Sequence, residues 1–116
     1  MAFERGAIYL VNFNPSRGTE AGKIRPALVV QSDLLNGVGH PSTTVAPLTT
    51  QLINGTAPLC LRIAAARDRL ARDFDLMRGQ IRTIDNRRFN GDMLTRLEGE
   101  EMVLVEEYLR IPLGLE

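Results

Sequence analysis

A chain of 116 residues holds one core of ordinary size and is too short for two. Hydrophobic residues at 44% and charged residues at 24% exclude wholesale disorder and a fibrous chain. Fourteen basic residues balance fourteen acidic ones, and that zero argues at first sight against a polyanionic partner.

In chain order, residues 6 to 13 are β-branched and aromatic and stop at the turn signal Asn14-Pro15, which predicts a strand. Residues 16 to 23 carry two glycines and three charges without periodicity, the composition of an exposed loop. Arg25 to Gln31 reads as a second strand buried on both faces, with Pro26 tolerable at its start. Ser32 to Asn36 is a capped helical turn, and residues 37 to 42 form a loop. Further strands are expected at 43–48, at 57–64 after the Asn54-Gly55 turn, and at 76–84, while residues 67 to 75 stay ambiguous. The connections are too short for parallel crossovers, so the sheet is predicted to be antiparallel and strongly bent. Glu100 to Arg110 carries Met102, Val105 and Leu109 at helical spacing, begins with acids, and is expected to stop at Pro112.

One cysteine and one histidine exclude a disulfide framework and zinc sites built from Cys and His pairs. Cys60, between leucines, reads as a small buried hydrophobe. Compartment therefore reads as reducing and cytoplasmic, with no segment near the ~20 apolar residues that span a bilayer. His40, before proline in a glycine-flanked loop, reads as a solvated residue.

With no metal set or cofactor fingerprint, chemistry is expected from side chains at strand ends. Three places qualify. At Lys23-Ile24-Arg25-Pro26, an arginine before a rigid proline either grips a phosphate bidentately or pairs at the rim with a carboxylate such as Glu20. At Leu48-Thr49-Thr50-Gln51, the polar groups either bind a substrate or close a turn. In Gln80-Ile81-Arg82-Thr83-Ile84-Asp85, polar residues alternate with isoleucine, which alone suggests only a solvated face. Split along the chain, the zero is a sum of opposites: +1 over residues 1–61, +4 over 62–88 and −5 over 89–116. Thirteen of the fourteen cations are arginine, the residue that both forks onto phosphate and stacks on bases.

Four blocks in order resemble the MazF/PemK family of toxin endoribonucleases. They are Arg5-Gly6-Ala7-Ile8-Tyr9-Leu10-Val11 with Pro15; Gly18-Thr19-Glu20 with Arg25-Pro26-Ala27-Leu28-Val29-Val30-Gln31-Ser32; Pro47-Leu48-Thr49-Thr50-Gln51; and Gln80 to Asp85. The resemblance implies a mainly β fold, an SH3-like antiparallel barrel with a C-terminal helix and short helical turns, formed by residues 1–116 as a single toxin domain. It implies a cytoplasmic homodimer that cuts single-stranded RNA without metal or cofactor, leaving a 2′,3′-cyclic phosphate and a 5′-hydroxyl. It also implies neutralisation by a MazE-like antitoxin whose acidic tail covers the RNA groove, and no membrane contact. Catalysis would fall to Arg25 and Thr49. Substrate contacts would fall to Thr19, Glu20, Lys23, Thr50, Gln51, Gln80, Arg82 and Asp85. The chain departs from the family at Gly79, where many members carry glutamate. Two other classes share such a fold: a non-catalytic SH3-like module that binds RNA or protein, and a gyrase inhibitor of the CcdB type. The second relies on a C-terminal Trp-Gly-Ile that this chain lacks.

Overall fold

The computed structural model describes residues 3–15, 17–19, 22–50, 62–63, 73–77 and 80–115. The elements run β1 (Ala7–Asn12), β2 (Ile24–Val29), α1 (Asp33–Gly37), β3 (Ser42–Thr49), β4 (Arg62–Ile63), β5 (Phe74–Leu76), β6 (Arg82–Asp85), β7 (Phe89–Arg96) and α2 (Glu100–Leu113). A 3-10 turn at Asn86–Arg88 joins β6 to β7. The sheet order is β4-β5-β3-β2-β1-β7, with β6 also on β3, and every pairing is antiparallel. This is the mainly β, antiparallel architecture with a C-terminal helix that the sequence predicts.

Strand β3 is the branch point. Its first half pairs with β6, from Ser42↔Asp85 to Val45↔Arg82, and its end pairs with β5 through Leu48↔Leu76 and Thr49↔Asp75. The strand expected at 76–84 is therefore two strands. Between them Met77 N–H donates to Pro47 C=O at 2.8 Å and Gln80 N–H donates to Met77 C=O at 2.9 Å, which turns the chain from one half of β3 to the other. Strand β7 has no counterpart in the expected elements: Phe-Asn-Gly-Asp-Met-Leu-Thr-Arg lies at the sheet edge with one buried residue, so its pattern carries little burial signal. Of the strand expected at 57–64, β4 is the described part; the Asn54-Gly55 turn and Cys60 lie outside the described residues. Helix α2 runs through Pro112, which costs one backbone hydrogen bond in the last turn. The stop is Gly114, left-handed at φ 66°, with Leu115 N–H donating to Arg110 C=O at 2.9 Å.

Alternation divides the core between the two faces of the sheet. Ile8, Leu28, Ala46, Leu48, Phe74 and Leu76 pack on one face with Val105 and Leu109 of α2. Tyr9, Val11, Phe13, Ala27, Val29, Val45 and Ile84 pack on the other. There Phe3 stacks on Phe89 at 3.9 Å, and Tyr9 meets both rings edge-on at 5.2 and 5.5 Å. Gly6 ties the sheet to the turn before α2: its N–H donates to Val29 C=O at 2.9 Å and its C=O accepts from Leu97 N–H at 2.8 Å. At φ 93°, with Leu97 O 2.7 Å from where a Cβ would sit, only glycine fits. Among the described residues no helix is long and apolar enough to cross a membrane.

Candidate active site

The strand ends nearest Phe13 gather the polar residues. Val11 stands opposite Arg25 across β1 and β2, and Ala27 opposite Pro47 across β2 and β3. The same register carried two residues further aligns Arg25 with Thr49, and Thr49 stands opposite Asp75. Cross-strand neighbours point to the same side, so Arg25, Thr49 and Asp75 form one row on the face opposite α2. Arg82 joins that face through its pairing with Val45, its Cζ 5.8 Å from the centre of the buried Phe13 ring.

Arg25 is half-buried and fastened along one edge. Its Nε donates to Gly22 C=O at 2.8 Å and its Nη1 to Met77 Sδ at 3.3 Å. It makes no ion pair among the described residues, and Glu20, its alternative rim partner, lies outside them. Among the described residues, Arg82 Nη1 is buried with no hydrogen-bond partner. Among the described residues, two guanidinium groups thus share one end of the sheet without an ion-paired carboxylate, a setting that favours an anion.

The loop between β1 and β2 is pinned to this end. Phe13 N–H donates to Lys23 C=O at 2.9 Å, and Lys23 N–H to Asn14 Oδ1 at 2.8 Å. Lys23 is exposed and left-handed at φ 68°, a strained conformation for a side chain with a Cβ. Arg88 Nη1 donates to Asn12 C=O and Asn14 C=O at 3.1 and 2.5 Å. Gln80 Nε2 donates to Thr19 C=O at 3.0 Å, which joins the loop to the turn before β6.

Of the residues expected at a site, Arg25, Thr49, Lys23, Thr19, Gln80 and Arg82 come together here, and Thr50 follows Thr49 in an exposed bend. Glu20 and Gln51 lie outside the described residues, as does Gly79. Asp85 sits at the far end of β6, where its carboxylate caps the 3-10 turn by accepting from Arg87 N–H at 2.8 Å and from the Arg87 side chain at 3.0 Å. Those bonds hold the Asp85 carboxyl below the usual carboxylate range. His40 stands beside that far end, its Nδ1 2.8 Å from Ser42 C=O.

Two neighbours of the row escaped the sequence reading. Asp75, 1% exposed, fell in the ambiguous stretch, and Met77 carried no motif. The signal for Asp75 was a lone acid between Phe74 and Leu76, which strand alternation sends to the face opposite those two.

A family model described as "PemK-like, MazF-like toxin of type II toxin-antitoxin system" matches residues 4–113. Endoribonuclease EndoA of Bacillus subtilis (strain 168) is 38% identical over 115 residues, which covers 99% of this chain and 97% of that protein. The structure of MazF from Deinococcus radiodurans superposes with a TM-score of 0.78 at 23% identity, covering 99% of each chain. An endoribonuclease from Mycobacterial species, solved in complex with its cognate antitoxin, superposes with a TM-score of 0.72 at 21% identity, covering 99% of this chain and 96% of that one.

Proposed function

Because the chain belongs to the PemK-like, MazF-like toxins of type II toxin–antitoxin systems, we propose that it is a metal-independent, sequence-specific endoribonuclease acting on single-stranded RNA. The observation that carries this reading is Arg25, fixed at two nitrogens, at the same strand end as Thr49.

In the mechanism, the ribose 2′-hydroxyl attacks the adjacent phosphate, the 5′-oxygen leaves, and the products are a 2′,3′-cyclic phosphate and a 5′-hydroxyl. Negative charge accumulates on the non-bridging oxygens as the pentacoordinate phosphorane forms. A pre-positioned guanidinium stabilises that charge more than the ground state, so Arg25 lowers the barrier. A guanidinium offers donors and no acceptor, so Arg25 acts as a donor to the phosphorane and the leaving oxygen. Thr49 positions a non-bridging oxygen or the nucleophile. Arg82, over the Phe13 ring, and Gln80, tied to Thr19, line the path of the strand, with Thr19, Lys23 and Thr50 exposed along it. Glu20, Gln51 and Asp85 complete the proposed substrate contacts, Asp85 for nucleotides far from the scissile bond.

The whole chain, 1–116, acts as one toxin domain in the cytoplasm, as a homodimer that extends the groove across several nucleotides. A MazE-like antitoxin with an acidic segment covers the arginine-rich end and blocks it. Exposed Leu34, Val38, Leu113 and Leu115 support association with a second copy.

The test is incubation of the protein with a long single-stranded RNA in EDTA, beside Arg25→Ala, with mapping of the new 5′ ends. EDTA-resistant cuts at a recurring short sequence, bearing 5′-hydroxyls and lost in Arg25→Ala, are the expected result. Binding without cleavage by the wild type overturns the reading in favour of a non-catalytic module.

A further inference from the structure

The two acceptors that hold Arg25 differ in kind. Gly22 C=O is an ordinary backbone acceptor, whereas Met77 Sδ is a thioether, weak and uncharged. A carboxylate in its place would hold Nη1 more firmly but cancel the charge that a phosphorane needs. An aliphatic side chain would leave that edge unguided. The sulfur is well placed to guide, because the backbone of Met77 is fastened to β3 through Pro47 C=O, two residues before Thr49, and to Gln80 N–H beyond it. Met77 thus connects Arg25 to the strand that carries Thr49.

We propose that Met77 is a positioning residue for RNA cleavage: its thioether orients the Arg25 guanidinium while leaving the whole positive charge for the substrate. The proposal rests on the ribonuclease reading of this site.

Steady-state kinetics on an RNA oligonucleotide spanning a mapped cleavage site test it with three variants. Met77→Leu keeps the volume and loses the acceptor, so kcat falls roughly threefold to tenfold while KM stays within about twofold. Met77→Gln supplies a neutral oxygen acceptor and restores kcat to within about twofold of the wild type. Met77→Glu supplies a charged one and lowers kcat by more than about a hundredfold. A side chain that merely fills space gives the opposite order, with Met77→Leu equal to the wild type and Met77→Gln worse, and that order overturns the proposal. The arginine Nη signals in 15N–1H spectra of the protein alone provide a readout without RNA. Arg25 Nη signals that broaden in Met77→Leu and return in Met77→Gln support the tether, and signals unchanged in Met77→Leu sink it. A wild type that does not cleave RNA defeats the ribonuclease reading instead, leaving the spectral test standing.

Discussion

Two parts of the molecule handle charge in opposite ways. Around α2 and the end of β7, cations are matched by carboxylates: Arg5 with Glu106 at 2.9 Å, and Arg96 with Glu4 and Glu98 at 2.5 and 3.3 Å. At the strand ends near Phe13, Arg25 meets a carbonyl and a thioether, and Arg82 lies near an aromatic ring with one nitrogen unbonded among the described residues. A rim arginine loses its attraction for other anions once a carboxylate sits on it, whereas one held by neutral groups keeps that attraction. The zero net charge of the chain is thus spatial bookkeeping, with the acids of the terminal helix placed across the sheet from the proposed groove.

The sharpest way to break this contrast is Arg25→Ala, which is expected to lower cleavage by about a thousandfold, close to 4 kcal/mol in the barrier, with an unchanged melting temperature. A parallel loss of melting temperature would mean that Arg25 serves the fold. Leu28→Ala attacks the α2 face instead. Leu28 is fully buried between the sheet and α2, so unfolding in urea should show a loss of about 3 kcal/mol, with kcat intact in the fraction that stays folded. Gly6→Ala probes the joint where the sheet meets the turn before α2. Its contact with Leu97 O and its positive φ together predict a loss of about 2 kcal/mol by the same measurement. The smallest effect concerns Asp33. Its carboxyl is held below the usual range, first by the Arg5 backbone N–H at 2.9 Å and then by Asn36. A depressed folded pKa contributes stability above the unfolded value of ~3.9 and loses it as pH falls through the folded value. Melting temperatures taken from pH 7 to pH 2.5 should therefore drop below about pH 4, and Asp33→Asn should flatten that acid limb.

What was legible in the sequence followed from burial. Strands β1, β2 and β3 carry fully buried residues on both faces, so their apolar runs name them, and Val105 and Leu109 at helical spacing name α2. Strand β7 was silent because an exposed edge strand needs no apolar alternation, and its hydrogen bonds to β1 define it instead. The break between β5 and β6 was invisible because it depends on β3 changing partner along its length, a nonlocal fact that no window over residues 76 to 84 contains. Pro112 misled because a proline in a final turn removes one hydrogen bond, while the ending belongs to Gly114. At the candidate site, Arg25 and Thr49 stand out by their motifs, and the strand register aligns them. Asp85 shares its motif with Arg82, but a four-residue strand carries it to the opposite end. Met77 was unreadable, since a methionine shows its value only through the atom it touches.

The two tyrosines and the absence of tryptophan give these faces separate optical signatures. Tyr9 lies among Phe3 and Phe89 on the groove side, buried so that its ionisation is pushed upward, whereas Tyr108 belongs to α2. With no indole to mask them, replacing either tyrosine with phenylalanine leaves one intrinsic fluorophore that follows a single side of the sheet. The same molecule can then report, without an added label, whether an antitoxin or an RNA settles on the arginine-rich side or against the helix.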